Sequence, residues 1–384
     1  MDFAWNEEQE ALRAAIVKFA RQELNRSLIE RDATGEFAWE EWKKCGEFGI
    51  QGLPVPAKYG GGGSDALTIV AALEALGYGC ADNGLIFSIN AHMWGAEISI
   101  ASYGSEEQKR RFLPRLASGE FIGGHAMTEP VSGSDAYSLE TRAERRGDRY
   151  VLNGQKVFIT NAPVADVIII FATLDRSRGA SGISAFIVEK ETPGFTVGRK
   201  MSKMGLRTSP MGEVFLDECE IPAEHLLGQE GMGTAIFSTS MEWERTCILA
   251  SQLGTMQRLL ETSAEYSKGR KQFGKPIGRF QAVSGKIAEM DVRLETARLV
   301  LYKAAWLKQQ GKRAPREASI AKLYVSEACV ASCLDAMQIH GGYGYMTEFQ
   351  IERELRDALA GRIYSGTSEI QKLIISGLRG LSGE

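Results

Sequence analysis

RYVLNGQKVFIT, residues 149–160, is where the chain changes character. Two β-prone stretches flank Asn153-Gly154, and an Asn-Gly pair between such stretches is the strongest short-range hairpin signal. The runs that follow, VIIIFATL (167–174), SAFIVE (184–189) and EVFLDECEI (213–221), are short, apolar and separated by Gly, Pro and Ser. Residues from about 123 to 232 are therefore expected to form a compact β domain.

On both sides of this region the apolar residues fall at helical spacing. Upstream, Asn6 with Gln9 makes a capping box, and Leu12, Ile16, Phe19 and Leu24 follow every third or fourth place. A second capping box, Ser105 with Gln108, opens a charged segment. Between them Gly60 to Gly63 mark a loop, followed by a helix through Leu67, Ala71 and Leu76. Downstream, residues 235–268, 281–310, 316–339 and 350–361 carry the helical pattern. Its breaks are Gly274-Lys275-Pro276, the stretch from Gly311 to Pro315, and the Gly-rich 341–344. Helices, then strands, then helices predict an α+β multidomain chain: an N-terminal helical domain (1–122), a middle β domain (123–232) and a C-terminal helix bundle (233–384).

The 384 residues include 45 Lys+Arg against 49 Asp+Glu, a net charge of −4, which gives no electrostatic reason to expect nucleic acid or an anionic membrane as partner. A hydrophobic fraction of 44% with 24% charged residues excludes a disordered or collagen-like chain. The longest apolar run, Val167 to Ala172, is far shorter than the roughly 20 residues that span a bilayer. The start, MDFAWNEEQEALRAA, is acidic and lacks the basic beginning and apolar centre of a signal peptide. Cys45, Cys80, Cys219, Cys247, Cys329 and Cys333 form no CxxC pair and read as buried reduced thiols. His92, His125, His225 and His340 have no metal-ligand spacing. These features predict a cytoplasmic protein without a metal site.

Three familiar motifs fail. GRKQFGKP (269–276) approaches a phosphate-binding loop, but the magnesium-ligating Ser/Thr is Pro276 and no strand precedes it. No GxGxxG occurs, and no serine is flanked by glycines two residues away on both sides. What remains is four regions unlike routine packing: HAMTEPVSGSD (125–135), KVFIT (156–160), RKQFGKPI (270–277), and QIHGGYGY with IYSGTSEIQ (338–345 and 363–371). Each alone reads as a turn or cap.

In order and spacing these segments resemble the acyl-CoA dehydrogenase family, FAD enzymes that introduce a double bond next to a thioester. The resemblance covers essentially the whole chain, helix–sheet–helix order included. It implies that Thr128 bonds the flavin pyrimidine edge, that Phe158 stacks beside the isoalloxazine, and that Thr160 reaches flavin N5. Ser134 would lie near the thioester or its phosphopantetheine arm. Arg270, Phe273, Gln281, Gln338 and Gly342 would hold the pyrophosphate and adenosine, several across a subunit interface, and Thr367 the phosphate region. Met127, Gly133 and Glu369 complete the implied FAD-binding set. The resemblance also implies a homotetramer.

One departure matters for the chemistry. Many members place the catalytic base directly before the Gly-Thr of the last motif, where this chain has Tyr364-Ser365-Gly366-Thr367. An unassisted serine is no substitute for a carboxylate. A second group of members carries the base on a bundle helix as Glu-Arg, and Met241-Glu242-Trp243-Glu244-Arg245 stands at that place. Steps of three and four put Phe237, Met241, Glu244, Ile248 and Ser251 on one stripe. A carboxylate on a mostly apolar stripe is expected to be desolvated, with a raised pKa suited to a base. Glu242, two positions away, serves as a control on another face. Arg245 points about 100° from Glu244, so it is expected to shape the site instead of pairing with the base. Ser365 would still contribute its backbone to the substrate.

Within the family, Trp243 to Cys247, Ser365 to Ser368 and Arg207 to Phe215 resemble the L-prolyl-carrier-protein dehydrogenases and oxidases. Glu244 would then abstract the prolyl α-proton. The alternative substrate is a short or branched acyl-CoA, with electrons passing to an electron-transfer flavoprotein; oxygen is the other acceptor. A flavin monooxygenase on the same fold usually lacks the dehydrogenase base, and Glu244 argues against it.

Overall fold

The computed structural model describes residues 5–381, so the first four residues of the acidic start lie outside it. Seven helices come first: α1 (Glu7–Glu23), α2 (Leu28–Thr34), α3 (Trp39–Phe48), α4 (Ala66–Gly79), α5 (Asn83–Ala91), α6 (Ile98–Tyr103) and α7 (Glu106–Ala117). Both capping boxes form as expected, Asn6 with Gln9 on α1 and Ser105 with Gln108 on α7. One wide turn, His92–Glu97, joins α5 to α6 with i→i+5 bonding.

The middle of the chain supplies β1 (Gly123–Ala126), β2 (Arg142–Arg146), β3 (Arg149–Thr160), β4 (Val167–Thr173), β5 (Ile183–Glu189), β6 (Phe195–Val197), β7 (Met211–Pro222) and β8 (Leu226–Leu227). They form one sheet in the order β6-β7-β3-β2-β4-β5-β8, with β1 parallel to β4. Every residue of β4 is buried, because helices α7 and α8 cover one face of the sheet and side chains of β3, β5 and β7 cluster on the other. That explains an apolar run without alternation.

The Asn153-Gly154 pair does not turn the chain. β3 passes straight through it, with a bulge against β7 between Leu152 and Gly154. A Cβ at Gly154 would lie 2.5 Å from the Thr141 hydroxyl, so the glycine serves a close approach within the sheet. The hairpin turn is instead at Gly147-Asp148, joining β2 to β3, where Gly147 has φ of 63°.

The last part contains α8 (Gly233–Cys247), α9 (Ala250–Gly269), a small hairpin of β9 (Lys271–Gln272) and β10 (Lys275–Pro276), then α10 (Gln281–Gln309), α11 (Pro315–His340), α12 (Gly342–Tyr345), α13 (Ile351–Ala360) and α14 (Ser368–Gly377). The single helix expected over 235–268 is thus two, interrupted at Ile248-Leu249. The Thr246 hydroxyl bonds back to the Glu242 carbonyl at 2.7 Å, a contact that bends helices, and the buried residues on either side hide the break from periodicity.

The two helical regions share one core. Ile16 and Leu73 from the first pack in the same cluster as Leu253, Leu301 and Val325 from the last. α4 and α9 cross with backbones touching: a Cβ at Gly77 would lie 2.0 Å from the Ser251 carbonyl, and one at Gly254 only 2.2 Å from that of Glu74. Among the described residues no helix is long and apolar enough to cross a membrane.

Candidate active site

A cleft of about 810 Å³ opens where the sheet meets the C-terminal helices. Its sheet-side wall is the segment after β1 together with the end of β3. Glu129 organises this wall: its carboxylate accepts from Lys156 Nζ at 2.7 Å and from the backbone N–H groups of Glu140 at 2.6 Å and Thr141 at 3.0 Å. Lys156 also donates to the Met127 carbonyl at 3.1 Å. Burial alone would raise the Glu129 pKa, but Lys156 and the donated hydrogen bonds bring it below the usual range. Burial pulls Lys156 down to about 8 against the attraction of Glu129.

A second bulge in β3, between Lys156 and Ile159, puts Phe158 at φ of 59°. The bulge aims Phe158 and Thr160 at the cleft and leaves Phe158 57% exposed. Met127, Thr128, Gly133 and Ser134 line the same wall. This set fits a flavin. The hydroxyls of Thr128 and Thr160 bond no other described residue, and a Cβ at Gly133 would meet nothing within 4 Å.

The opposite wall comes from α8 and the loop before α14. Phe237, Met241, Glu244 and Ile248 face the cleft as the helical stripe requires, while Ser251 faces Gly77 of α4. Glu242 turns away and pairs with Lys308 at 3.1 Å. Burial raises the Glu244 pKa, opposed by a hydrogen bond from Ser365 and by the charges of Arg245 and Lys322. The Ser365 hydroxyl donates to Glu244 Oε1, so α8 and the Gly-Thr loop meet in one contact.

That loop is sharply bent, with Ser365 at φ of 56° and Gly366 at 88°. Arg245 Nε donates to the Ser365 carbonyl at 2.9 Å. Gln371 Nε2 donates to the Ser365 and Gly366 carbonyls, at 3.1 and 2.9 Å. Thr367 caps α14, its hydroxyl accepting from the Ile370 N–H at 3.3 Å, and Glu369 is exposed in the first turn of that helix.

The structure therefore brings Met127, Thr128, Gly133, Ser134, Phe158, Thr160, Glu244, Arg245, Ser365 and Thr367 into one cleft. It leaves Arg270, Phe273, Gln281, Gln338 and Gly342 outside it, on an exposed face of the C-terminal helices. There the Arg270 guanidinium lies 5.9 Å from the Tyr343 ring centroid, next to Gly342, and Phe273 is 92% exposed.

Three contributors escaped the motif reading. Glu129 and Lys156 stand within quoted segments, but their pairing across 27 residues is not legible locally. His125 is a cleft residue, its ring against Phe171 and Phe237 at centroid distances of 4.9 and 5.8 Å. Burial lowers its pKa to about 4, which keeps the imidazole neutral.

Comparison with known proteins agrees with this architecture. The acyl-CoA dehydrogenase N-terminal, middle and C-terminal domains match residues 6–120, 124–219 and 231–377. An L-prolyl-[peptidyl-carrier protein] dehydrogenase of Pseudomonas fluorescens is 43% identical over 377 residues, 98% of this chain and 99% of the relative. An acyl-CoA dehydrogenase of Bacillus subtilis is 45% identical over 370 residues, 96% of this chain and 97% of the relative. Among solved structures, the prolyl acyl carrier protein oxidase AnaB superposes with a TM-score of 0.97 at 52% identity, covering 98% of this chain and 100% of that one. PigA with FAD and proline gives 0.98 at 41% identity, covering 100% of both. With all three domains matched in order around a cleft that joins them, the chain belongs to the acyl-CoA dehydrogenase family.

Proposed function

We propose that the protein is an FAD-dependent dehydrogenase of acyl thioesters whose substrate is an L-prolyl group tethered to a carrier protein. The observation that carries the reaction is the Glu244 carboxylate, half-buried on the apolar stripe of α8, desolvated and facing the cleft. Full-length similarity to a prolyl-carrier-protein dehydrogenase and to AnaB supports the prolyl group.

In this reading the Cα–H bond breaks toward Glu244, which keeps the proton. The freed electron pair forms the Cα=Cβ bond as Cβ–H is lost, so two electrons and two hydrogens leave the substrate. Bound FAD supplies the acceptor for the hydride from Cβ. The raised basicity that burial gives Glu244 suits removal of a weakly acidic proton. Ser134 and the backbone of Ser365 face the thioester. Met127, Thr128, Gly133, Phe158 and Thr160 hold the flavin ring, with Thr367 and Glu369 toward its phosphates.

Arg270, Phe273, Gln281, Gln338 and Gly342 then reach the cofactor of a neighbouring subunit in a homotetramer, which their exposure outside the cleft supports. Six buried, unpaired cysteines suit a reducing cytoplasm. The acceptor of the electrons is an electron-transfer flavoprotein or oxygen.

A second reading, dehydrogenation of a short or branched acyl-CoA, is favoured by the 45% identity to an acyl-CoA dehydrogenase. Anaerobic mixing of the yellow protein with L-prolyl-carrier protein and, in parallel, with short and branched acyl-CoAs decides between them. Bleaching by the prolyl thioester alone is expected. Bleaching by an acyl-CoA alone would replace the proposed substrate with the second.

A further inference from the structure

Lys322 lies on α11 in line with Ala318, Val325 and Cys329, and like them it is buried, with no exposed surface at all. A lysine at such a position is costly unless its charge is used. No carboxylate among the described residues lies within ion-pair distance of its ammonium. Its hydrogen bond goes to a backbone oxygen, the Gly366 carbonyl, at 2.7 Å. With Arg245 and Gln371 it completes a set of three donors, from α8, α11 and α14, on two successive carbonyls of the bent loop.

Two physical consequences follow. In a trans peptide the N–H points opposite to the preceding C=O. Anchoring the Ser365 and Gly366 carbonyls to the helices therefore turns the Gly366 and Thr367 N–H groups to the other side of the loop. No described backbone acceptor takes either of them. The second consequence is electrostatic. Ionised Glu244 sits with two cations, the half-buried Arg245 and the buried Lys322, and once it takes a proton both positive charges remain. A negative charge developing on the thioester carbonyl is then favoured.

We propose that Lys322 is a positioning residue of this site, which holds the bend of the 364–367 loop from behind and supplies a buried positive charge that favours loss of the α-proton. This rests on Glu244 being the base. The groups facing Lys322 are Arg245 and Glu244 of α8, Glu327 of its own helix, Glu369 of α14, and the Tyr364 ring at 6.0 Å. Glu327 is engaged with Arg362 at 2.9 Å and with the Ser368 hydroxyl at 2.7 Å, and Glu369 is exposed. Burial and Arg245 together lower the Lys322 pKa to about 8.

The test uses the FAD-loaded protein and whichever thioester bleaches the wild type. Flavin reduction is followed across pH for Lys322→Met and Lys322→Arg, together with flavin retention and Tm. For Lys322→Met the maximal rate should fall on the order of tenfold or more, with little change in the half-saturating substrate concentration. The ascending limb of its pH profile should move up by about one unit, because the Glu244 carboxylate loses a stabilising cation. Lys322→Arg keeps the charge but misplaces the donor, so its rate should fall with the limb at the wild-type pH.

An unmoved limb in Lys322→Met, or a loss explained wholly by weaker flavin retention, would overturn the proposal. A limb displaced in Lys322→Arg would overturn it too, even if the Met variant does not fold. Failure of the underlying reading shows separately, as bleaching that survives Glu244→Gln.

Discussion

At the scale of single residues, the proposed chemistry depends on how one half-buried carboxylate is kept ionisable. Burial raises the Glu244 pKa and the Ser365 hydroxyl, Arg245 and Lys322 oppose that rise. In the proposed reaction the ionised form acts as the base, so the rate of flavin reduction should climb with pH through a midpoint above the ordinary glutamate range, measurable by anaerobic rapid mixing. Glu244→Gln should keep the fold and the yellow colour and lose reduction by substrate, and retained bleaching would remove Glu244 from the mechanism. Ser365→Ala removes one stabilising hydrogen bond from the carboxylate, so appreciable activity should persist with the midpoint displaced to higher pH. A midpoint that stays in place would mean that the Ser365 hydroxyl leaves the base untouched. The stripe carrying Glu244 is legible in the sequence because helical spacing is local. The meeting of Glu244 with Ser365 is not, since 121 residues separate them and only packing joins them.

Among the elements, those bounded by their own residues are the legible ones. The helices over 281–309 and 315–340 match their apolar period to within a residue, and both capping boxes form. Asn153-Gly154 misleads because its turn propensity is overridden by pairing of β3 along β7 on both sides of a bulge. The break between α8 and α9 is invisible to periodicity because Cys247, Ile248, Leu249 and Ala250 are all buried. Two substitutions test these elements. Gly254→Ala should push α4 from α9 and destabilise by about 3 kcal/mol, read as a lower Tm, whereas an unchanged Tm would deny the close crossing. Lys156→Met leaves the buried Glu129 carboxylate without its counter-ion, which should cost about 3–5 kcal/mol and loosen the 127–134 wall. Weaker flavin retention in that variant is the readout, and undiminished retention would count against the wall's role.

For the whole molecule, the proposed function gives the exposed set around Arg270 a role in assembly. Arg270→Ala should release FAD through loss of a charge-assisted phosphate contact, and full retention would contradict that role. Light scattering should report four chains in solution; a monomer that keeps its flavin would refute the cross-subunit site. The shared helical core has a further bearing, on how the chain is made. Helices α1 to α7 leave the ribosome long before α9 to α11, yet Gly77 and Gly254 must meet backbone to backbone. Until more than a hundred further residues have been synthesised, the apolar surface of α4 has no lasting cover. The β region, whose contacts are nearer in sequence, is free to mature first as an insert between two unfinished halves. Contacts of such long separation slow folding and lengthen the exposure of sticky surface. Truncation after residue 122 should therefore yield an aggregating fragment, and nascent chains arrested before α9 should be the ones that engage chaperones.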